Sequence, residues 1–428
     1  GFLHVGGLRT ALFCWLYARQ QSGKFIFRLE DTDQKRLVEG AEKDLIHMLE
    51  WAGIELDEGP EIGGDFGPYR QSERLEIYKQ HVQKLLDEDH AYPCFCSTER
   101  LDNLRDEQRA NDETPRYDGL CRKLRKEEST QRVASGETHV VRMKIPEIPE
   151  TFLLNDLIRG NVSIESSQTE DQVIVKSDGF PTYHLAVVVD DHLMQITHVV
   201  RGEEWLPSFP KHLLLYRYFG WDPPAFAHLP LILNPDRTKL SKRQGDVAVE
   251  DFRDQGFLAE TLVNFISLLG WSPADDRELF TLAELVEEFS FERVNKSGAV
   301  FDREKLNWMN QQYIQNLDQQ DLVRRVTPFV AKTAYAGQDA ELLEKAVKIL
   351  QPRLVTLAET PKRLSLFFDE DPHATDPEVL SLLKEESSKQ VLAEFIKQLE
   401  IMESLNEENL ASLVKSVQTT TNIKGKNL

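Results

Sequence analysis

Apolar side chains recur at helical spacing at Leu8, Leu12, Trp15 and Leu16, and the run stops at Ser22-Gly23. This pattern predicts a helix opening at a pair of glycines, Gly6 and Gly7. Phe25, Ile26 and Phe27 read as a short buried strand ending at Glu30 and Asp31, and Leu45, Met48 and Leu49 mark a second helix stopped by Gly53. Glycines opening a helix, then a strand ending in acidic residues, predict half of a doubly wound, Rossmann-like α/β parallel sheet. Ligands bind beyond the carboxyl ends of such strands, where His4 and Glu30 fall.

From about 80 to 170 the pattern becomes mixed helix and strand rich in charge, as in an α+β insert between two halves of a sheet. Short aliphatic runs at 173–176, 185–189, 196–200 and 229–233 read as the returning strands. Beyond Ser241 the periodicity is helical, at 260–269, 282–289, 304–314 and repeatedly from 321 to 417. No internal repeat or low-complexity tract interrupts it. The expected organisation is 1–79 as the first half of a catalytic nucleotide-binding domain, 80–170 as the insert and 171–238 as the second half. All-α regions follow, 239–314 and 315–428.

A chain of 428 residues is too long for one core. No run approaches the roughly 18 apolar residues of a membrane span, and no signal-peptide pattern is read. Four cysteines suggest a reducing compartment rather than a disulfide framework. The expected location is cytoplasmic, an organelle matrix being also compatible. The formal net charge of -21 is unlike that of most nucleic-acid binders, but net charge does not describe a local docking face. Arg122, Lys123, Arg125 and Lys126, and the 237–243 stretch, could supply basic clusters or be ordinary surface charge, so charge leaves RNA binding open.

The chemistry concentrates in two pieces far apart in the chain, His4-Val5-Gly6-Gly7 and Lys239-Leu240-Ser241-Lys242-Arg243. Glycines let backbone approach a phosphate without a Cβ in the way, and a helix start presents free N–H groups to an anion. Lysines on a loop can close over a triphosphate. Alone, each piece is also an ordinary turn or solvated loop. Together they resemble the paired ATP-binding signatures of the class I aminoacyl-tRNA synthetases. The same order of motifs continues through Phe27-Arg28-Leu29-Glu30-Asp31-Thr32-Asp33, Gly67-Pro68-Tyr69-Arg70-Gln71-Ser72, Pro181-Thr182-Tyr183-His184, Val200-Arg201-Gly202-Glu203 and 301–314. Within that family the chain is most similar to the glutamate-specific branch of bacterial and organellar type, including a small residue at Gly7. By this resemblance the chain is truncated at both ends.

The resemblance implies that ATP, with Mg2+, activates L-glutamate, which then passes to the 3′ end of tRNA(Glu), with tRNA(Gln) open as a second substrate. His4, Lys239 and Lys242 would be catalytic; His4, Gly6, Gly7, Lys239, Ser241 and Lys242 would bind ATP; Glu30, Tyr183 and Arg201 would bind glutamate. Residues 80–170 would take the tRNA acceptor end, 239–314 would contact its stem, and 315–428 would be a helical anticodon-binding domain, itself incomplete. Cys94, Cys96 and Cys121 with Tyr117 form a zinc set of a kind some relatives use, or else buried thiols. Lys123 stands where some relatives have His. A monomer is expected. The alternatives are a catalytically impaired tRNA-binding fragment and a shorter paralogue that glutamylates a modified tRNA base.

Overall fold

A computed structural model describes residues 2–33, 38–166, 169–240, 247–369, 377–402 and 407–423. Helix α1 (Val5–Gln20) begins where His4 is extended and its Nδ1 accepts the Gly6 N–H at 2.9 Å. It buries Leu8, Leu12, Phe13 and Leu16 completely. It ends where Ser22 turns left-handed at φ 54 and the Gly23 N–H returns to the Ala18 carbonyl. The 25–29 segment is extended, as its pattern predicts, but makes isolated parallel bridges, Ile26 with Glu58 and Leu29 with Arg70, in place of a ladder. Helices α2 (Ala41–Trp51) and α3 (Leu75–Asp87) follow.

The middle of the chain runs β1 (Ala91–Cys94), α4 (Thr98–Ala110), α5 (Lys126–Ala134), β2 (Val140–Met143), β3 (Thr151–Asp156), β4 (Gly160–Glu165) and β5 (Val173–Val175). Next come α6 (Tyr183–Leu193), β6 (His198–Gly202), α7 (Phe209–Phe219), β7 (Ala225–Leu229) and β8 (Ile232–Leu233). One sheet has the order β1-β2-β5 and is antiparallel; another has the order β4-β3-β7-β6, with β3, β7 and β6 parallel. Three expectations about strands need correction. β5, read as a returning strand of the parallel sheet, closes the antiparallel one, while β3 and β4, inside the charged middle stretch, extend the parallel sheet. Residues 185–189 are helical, lying in α6. All five are buried, and an apolar run buried on every side carries no period to separate helix from strand.

Beyond β8 the chain forms α8 (Val249–Asp254), α9 (Ala259–Ser267), α10 (Leu282–Glu288), the short β9 (Ala299–Val300) paired with β8, α11 (Arg303–Gln315), α12 (Gln319–Val330) and α13 (Ala340–Leu350). These belong to one compact unit, residues 1–332 and 339–360. A core of α1, α9 and α11 residues runs through it, and a second core packs α6 and α7 between the two sheets. The other compact unit, 333–338 and 361–428, contains most of α14 (Thr360–Phe368), with α15 (Pro377–Leu382), α16 (Glu386–Glu400) and α17 (Glu407–Thr421). Its small core is Val391, Leu413 and Val417.

Candidate active site

A groove of about 840 Å³ opens between α1, the 25–30 segment, α6 and the free edge of β6. Arg201 lies in its wall, near the carboxyl end of β6, where the pairing of β6 with β7 sets it opposite His228. It is only 7% exposed and makes no ion pair among the described residues. Its Nε donates to His228 Nε2 and its Nη1 to His212 Nδ1, both at 3.1 Å. A guanidinium only donates, so both acceptor nitrogens are unprotonated. His228 therefore donates from Nδ1 to Asp156 at 2.6 Å, and His212 from Nε2 to His184 Nδ1 at 3.0 Å. Burial, reinforced by Arg201, holds His212 far below its ordinary pKa, and burial with Lys211 and Arg201 holds His184 at about 4. Arg201 Nη2 is buried without a hydrogen-bond partner. Tyr183 opens α6 beside it, its ring tilted against Trp205 at 4.5 Å and near His212.

The other wall carries Glu30, whose partner is Arg28 at 3.3 Å and not Arg201. Arg28 also donates to Asp191 at 2.8 Å. The adjoining Asp190 is completely buried and accepts from Arg74 and Tyr78, both at 2.7 Å, and from Gln71 at 3.0 Å. This cluster ties α6 to the 28–31 and 71–78 segments, so both walls of the groove are braced through one pair of aspartates.

Backbone pairing holds both described flanks of the second motif, the near one on β8 and the far one on the start of the first motif. Ile232 and Leu233 pair with the strand arm ending at Lys239 and Leu240. The chain is next described at Val247, whose carbonyl accepts from Val5 N, and Val249 N donates to Leu3 O. Val247 thus lies at the start of α1, paired with the residue that follows His4. Lys239 Nζ pairs with Glu204 at 3.1 Å. Ser241 and Lys242 lie outside the described residues. Gly6 has a steric reason to lack a side chain, since a Cβ there would sit 2.7 Å from His4 Cε1.

The three cysteines of the middle region come together, their sulfurs all within 4.8 Å of one another. Cys96 and Cys121 are 3.5 Å apart, and the Tyr117 hydroxyl is 3.4 Å from Cys94 and 3.6 Å from Cys96. Hydrogen bonding from Cys121, then from Tyr117, draws the Cys94 thiol down to about 4 despite burial. Zinc–thiolate bonds of about 2.3 Å place tetrahedral sulfurs near 3.8 Å apart, so the set fits such an ion. Sequence reading overlooked His212, His228, Asp156 and the Arg28–Asp190–Asp191 cluster. The available signal was a lone histidine within each of two apolar runs, at His212 and His228.

Fold and groove define a class I aminoacyl-tRNA synthetase. Residues 1–308 match the family described as tRNA synthetases class I (E and Q), catalytic domain, and 321–428 match an anticodon binding domain. The chain belongs to that family, and within it to the glutamate–tRNA ligases. It is 46% identical to the glutamate–tRNA ligase of Alkaliphilus metalliredigens over all of this chain and 89% of that protein. Identity to the Clostridioides difficile enzyme is also 46%, with the same coverage. A crystal structure of a glutamate tRNA ligase from Elizabethkingia meningosepticum in complex with its amino acid superposes with a TM-score of 0.85 at 35% identity, covering 99% of this chain and 89% of that one. Glutamate–tRNA ligation uses glutamate, ATP with Mg2+, and tRNA. The anticodon-domain match also separates the chain from the shorter base-modifying paralogue. Among the described residues, no helix is long and apolar enough to cross a membrane.

Proposed function

We propose that the groove holds glutamate, with its side-chain carboxylate on Arg201, its α-ammonium on Glu30 and its body against Tyr183. The observation carrying this reading is Arg201 itself, a buried guanidinium with no ion pair among the described residues and a spare Nη2. Burying a charged donor unsatisfied is costly, and a carboxylate bound in two-point fashion removes that cost. Glutamine offers only a neutral amide.

ATP lies over the start of α1, against His4, Gly6 and Gly7, and under Lys239, Ser241 and Lys242. The glutamate α-carboxylate attacks the α-phosphorus, the bond to the β-phosphate oxygen breaks, and pyrophosphate departs with the electron pair. The nucleophile is already an anion, so no general base is required. His4, Lys239 and Lys242 lower the barrier by placing donors and cations where negative charge gathers. Bound Mg2+ supplies further charge neutralisation on the phosphates. The ribose hydroxyl at the 3′ end of tRNA(Glu) then attacks the mixed anhydride and releases AMP. Residues 80–170 receive the acceptor end, 239–314 contact the stem and 315–428 read the anticodon; tRNA(Gln) is a second acceptor to be tested. One structural zinc sits on Cys94, Cys96 and Cys121 with Tyr117. The enzyme works as a cytoplasmic monomer.

The test is ATP–pyrophosphate exchange with glutamate or glutamine, with and without tRNA. Arg201→Gln should reduce kcat/KM for glutamate by about a hundredfold or more and narrow the preference over glutamine. A variant as selective as the parent would move the carboxylate site elsewhere.

A further inference from the structure

Arg201 is buried and gripped, yet among the described residues no carboxylate forms an ion pair with it, Asp191 acting on it only through space. The groups facing it are Tyr183 from α6, His212 and Tyr216 from α7, and Phe226 and His228 from β7. Asp156 reaches it only through His228. On the opposite wall Asp191 and Glu30 are engaged by Arg28. A buried arginine is usually oriented by a carboxylate, because a carboxylate both accepts hydrogen bonds and cancels charge. Here two imidazoles orient the side chain without cancelling its charge.

This arrangement has a chemical consequence. An arginine already paired with an internal carboxylate makes a net-neutral pocket, in which a second carboxylate is repelled and an amide is acceptable. An arginine held by neutral acceptors leaves one positive charge for the ligand to match. Proton placement along each chain supports this role. His228 spends its one N–H on Asp156, so its Nε2 stays an acceptor. His212 spends its N–H on His184, so its Nδ1 stays an acceptor.

We propose that His212 and the His228–Asp156 pair are positioning residues that determine specificity, keeping Arg201 oriented but un-neutralised so that the pocket takes an acidic side chain and refuses its amide. The proposal rests on Arg201 receiving the glutamate side chain.

Two matched substitutions test it, with exchange measured in the presence of tRNA. His212→Asn keeps a neutral acceptor near the Nδ1 position, whereas His212→Asp puts an anion of nearly the same shape there. His212→Asp should raise the KM for glutamate by about tenfold or more and erase most of the preference for glutamate over glutamine. Its KM for ATP should not move. His212→Asn should retain most of the selectivity that His212→Asp loses. His228→Gln and His228→Glu form the second pair, placing a neutral or charged acceptor at Nε2, and decide the matter if His212→Asp does not fold. Equal selectivity within each pair, while Arg201→Gln abolishes selectivity, would overturn the proposal and leave the Arg201 assignment standing. If Arg201→Gln keeps full selectivity, the underlying assignment fails instead.

Discussion

Replacing Asp190 by Asn should destabilise the larger unit by an amount its surroundings allow to be worked out. The carboxylate is completely buried and takes hydrogen bonds from Arg74, Tyr78 and Gln71, with Arg28 Nε at 3.8 Å. Asparagine keeps the shape, loses the charge and turns an amide N–H₂ toward groups that are themselves donors. Arg74 is 2% exposed and has no other carboxylate among the described residues. It keeps the carbonyls of Pro68 at 3.0 Å and Phe66 at 3.4 Å. Arg28 keeps Asp191 and Glu30. Stranding a buried charge costs about 3–5 kcal/mol, and these residual partners argue for the lower end, about 3 kcal/mol. At about 2–4 °C per kcal/mol in a large domain, the melting temperature should fall by about 6–12 °C. Urea unfolding followed by near-UV circular dichroism reads the loss directly. Because α6 carries Tyr183 at its start, KM for glutamate should rise more than kcat falls. Adding Arg74→Met to Asp190→Asn should recover part of the stability, since the stranded charge is gone. A single variant within about 1 kcal/mol of the parent, or a double variant as unstable as the two losses summed, would refute the stranded-charge reasoning.

Lys242→Ala should cost about 2–4 kcal/mol of transition-state stabilisation while largely sparing glutamate affinity; an unchanged single-turnover activation rate would remove Lys242 from the catalytic set. Protein purified without added metal should carry one equivalent of zinc by elemental analysis, lost in Cys121→Ser, and metal-free protein with an intact middle region would favour buried thiols. His184 gives a pH signature. Its pKa is near 6.5 unfolded but about 4 in the fold, so between those values the unfolded chain binds more protons and stability falls as pH drops. His184→Asn should flatten the pH dependence of the urea midpoint over that window by up to about one proton's worth, and an unaltered slope would mean that His184 is not held neutral.

Local pattern was enough to place α1 and its stop. Leu8, Leu12 and Leu16 mark one buried face, and a face has a period that can be read without knowing what covers it. The paired motifs around His4 and Lys239 made the family legible, because the proposed phosphate chemistry demands particular residue types at close spacing. Arg201, Glu30 and Tyr183 could be named from their motifs, but what surrounds them could not. That α6 is a helix depended on burial from all sides, which leaves no period. The assignment of β5 to one sheet and of β3 and β4 to the other depended on strand pairing between distant segments. The environment of Arg201 is the clearest case. His228 faces it because β6 and β7 pair in one register, and His212 reaches it because α7 packs across that sheet. A chain can spell out a cation locally, but whether the cation is already neutralised is decided by residues brought beside it in the fold.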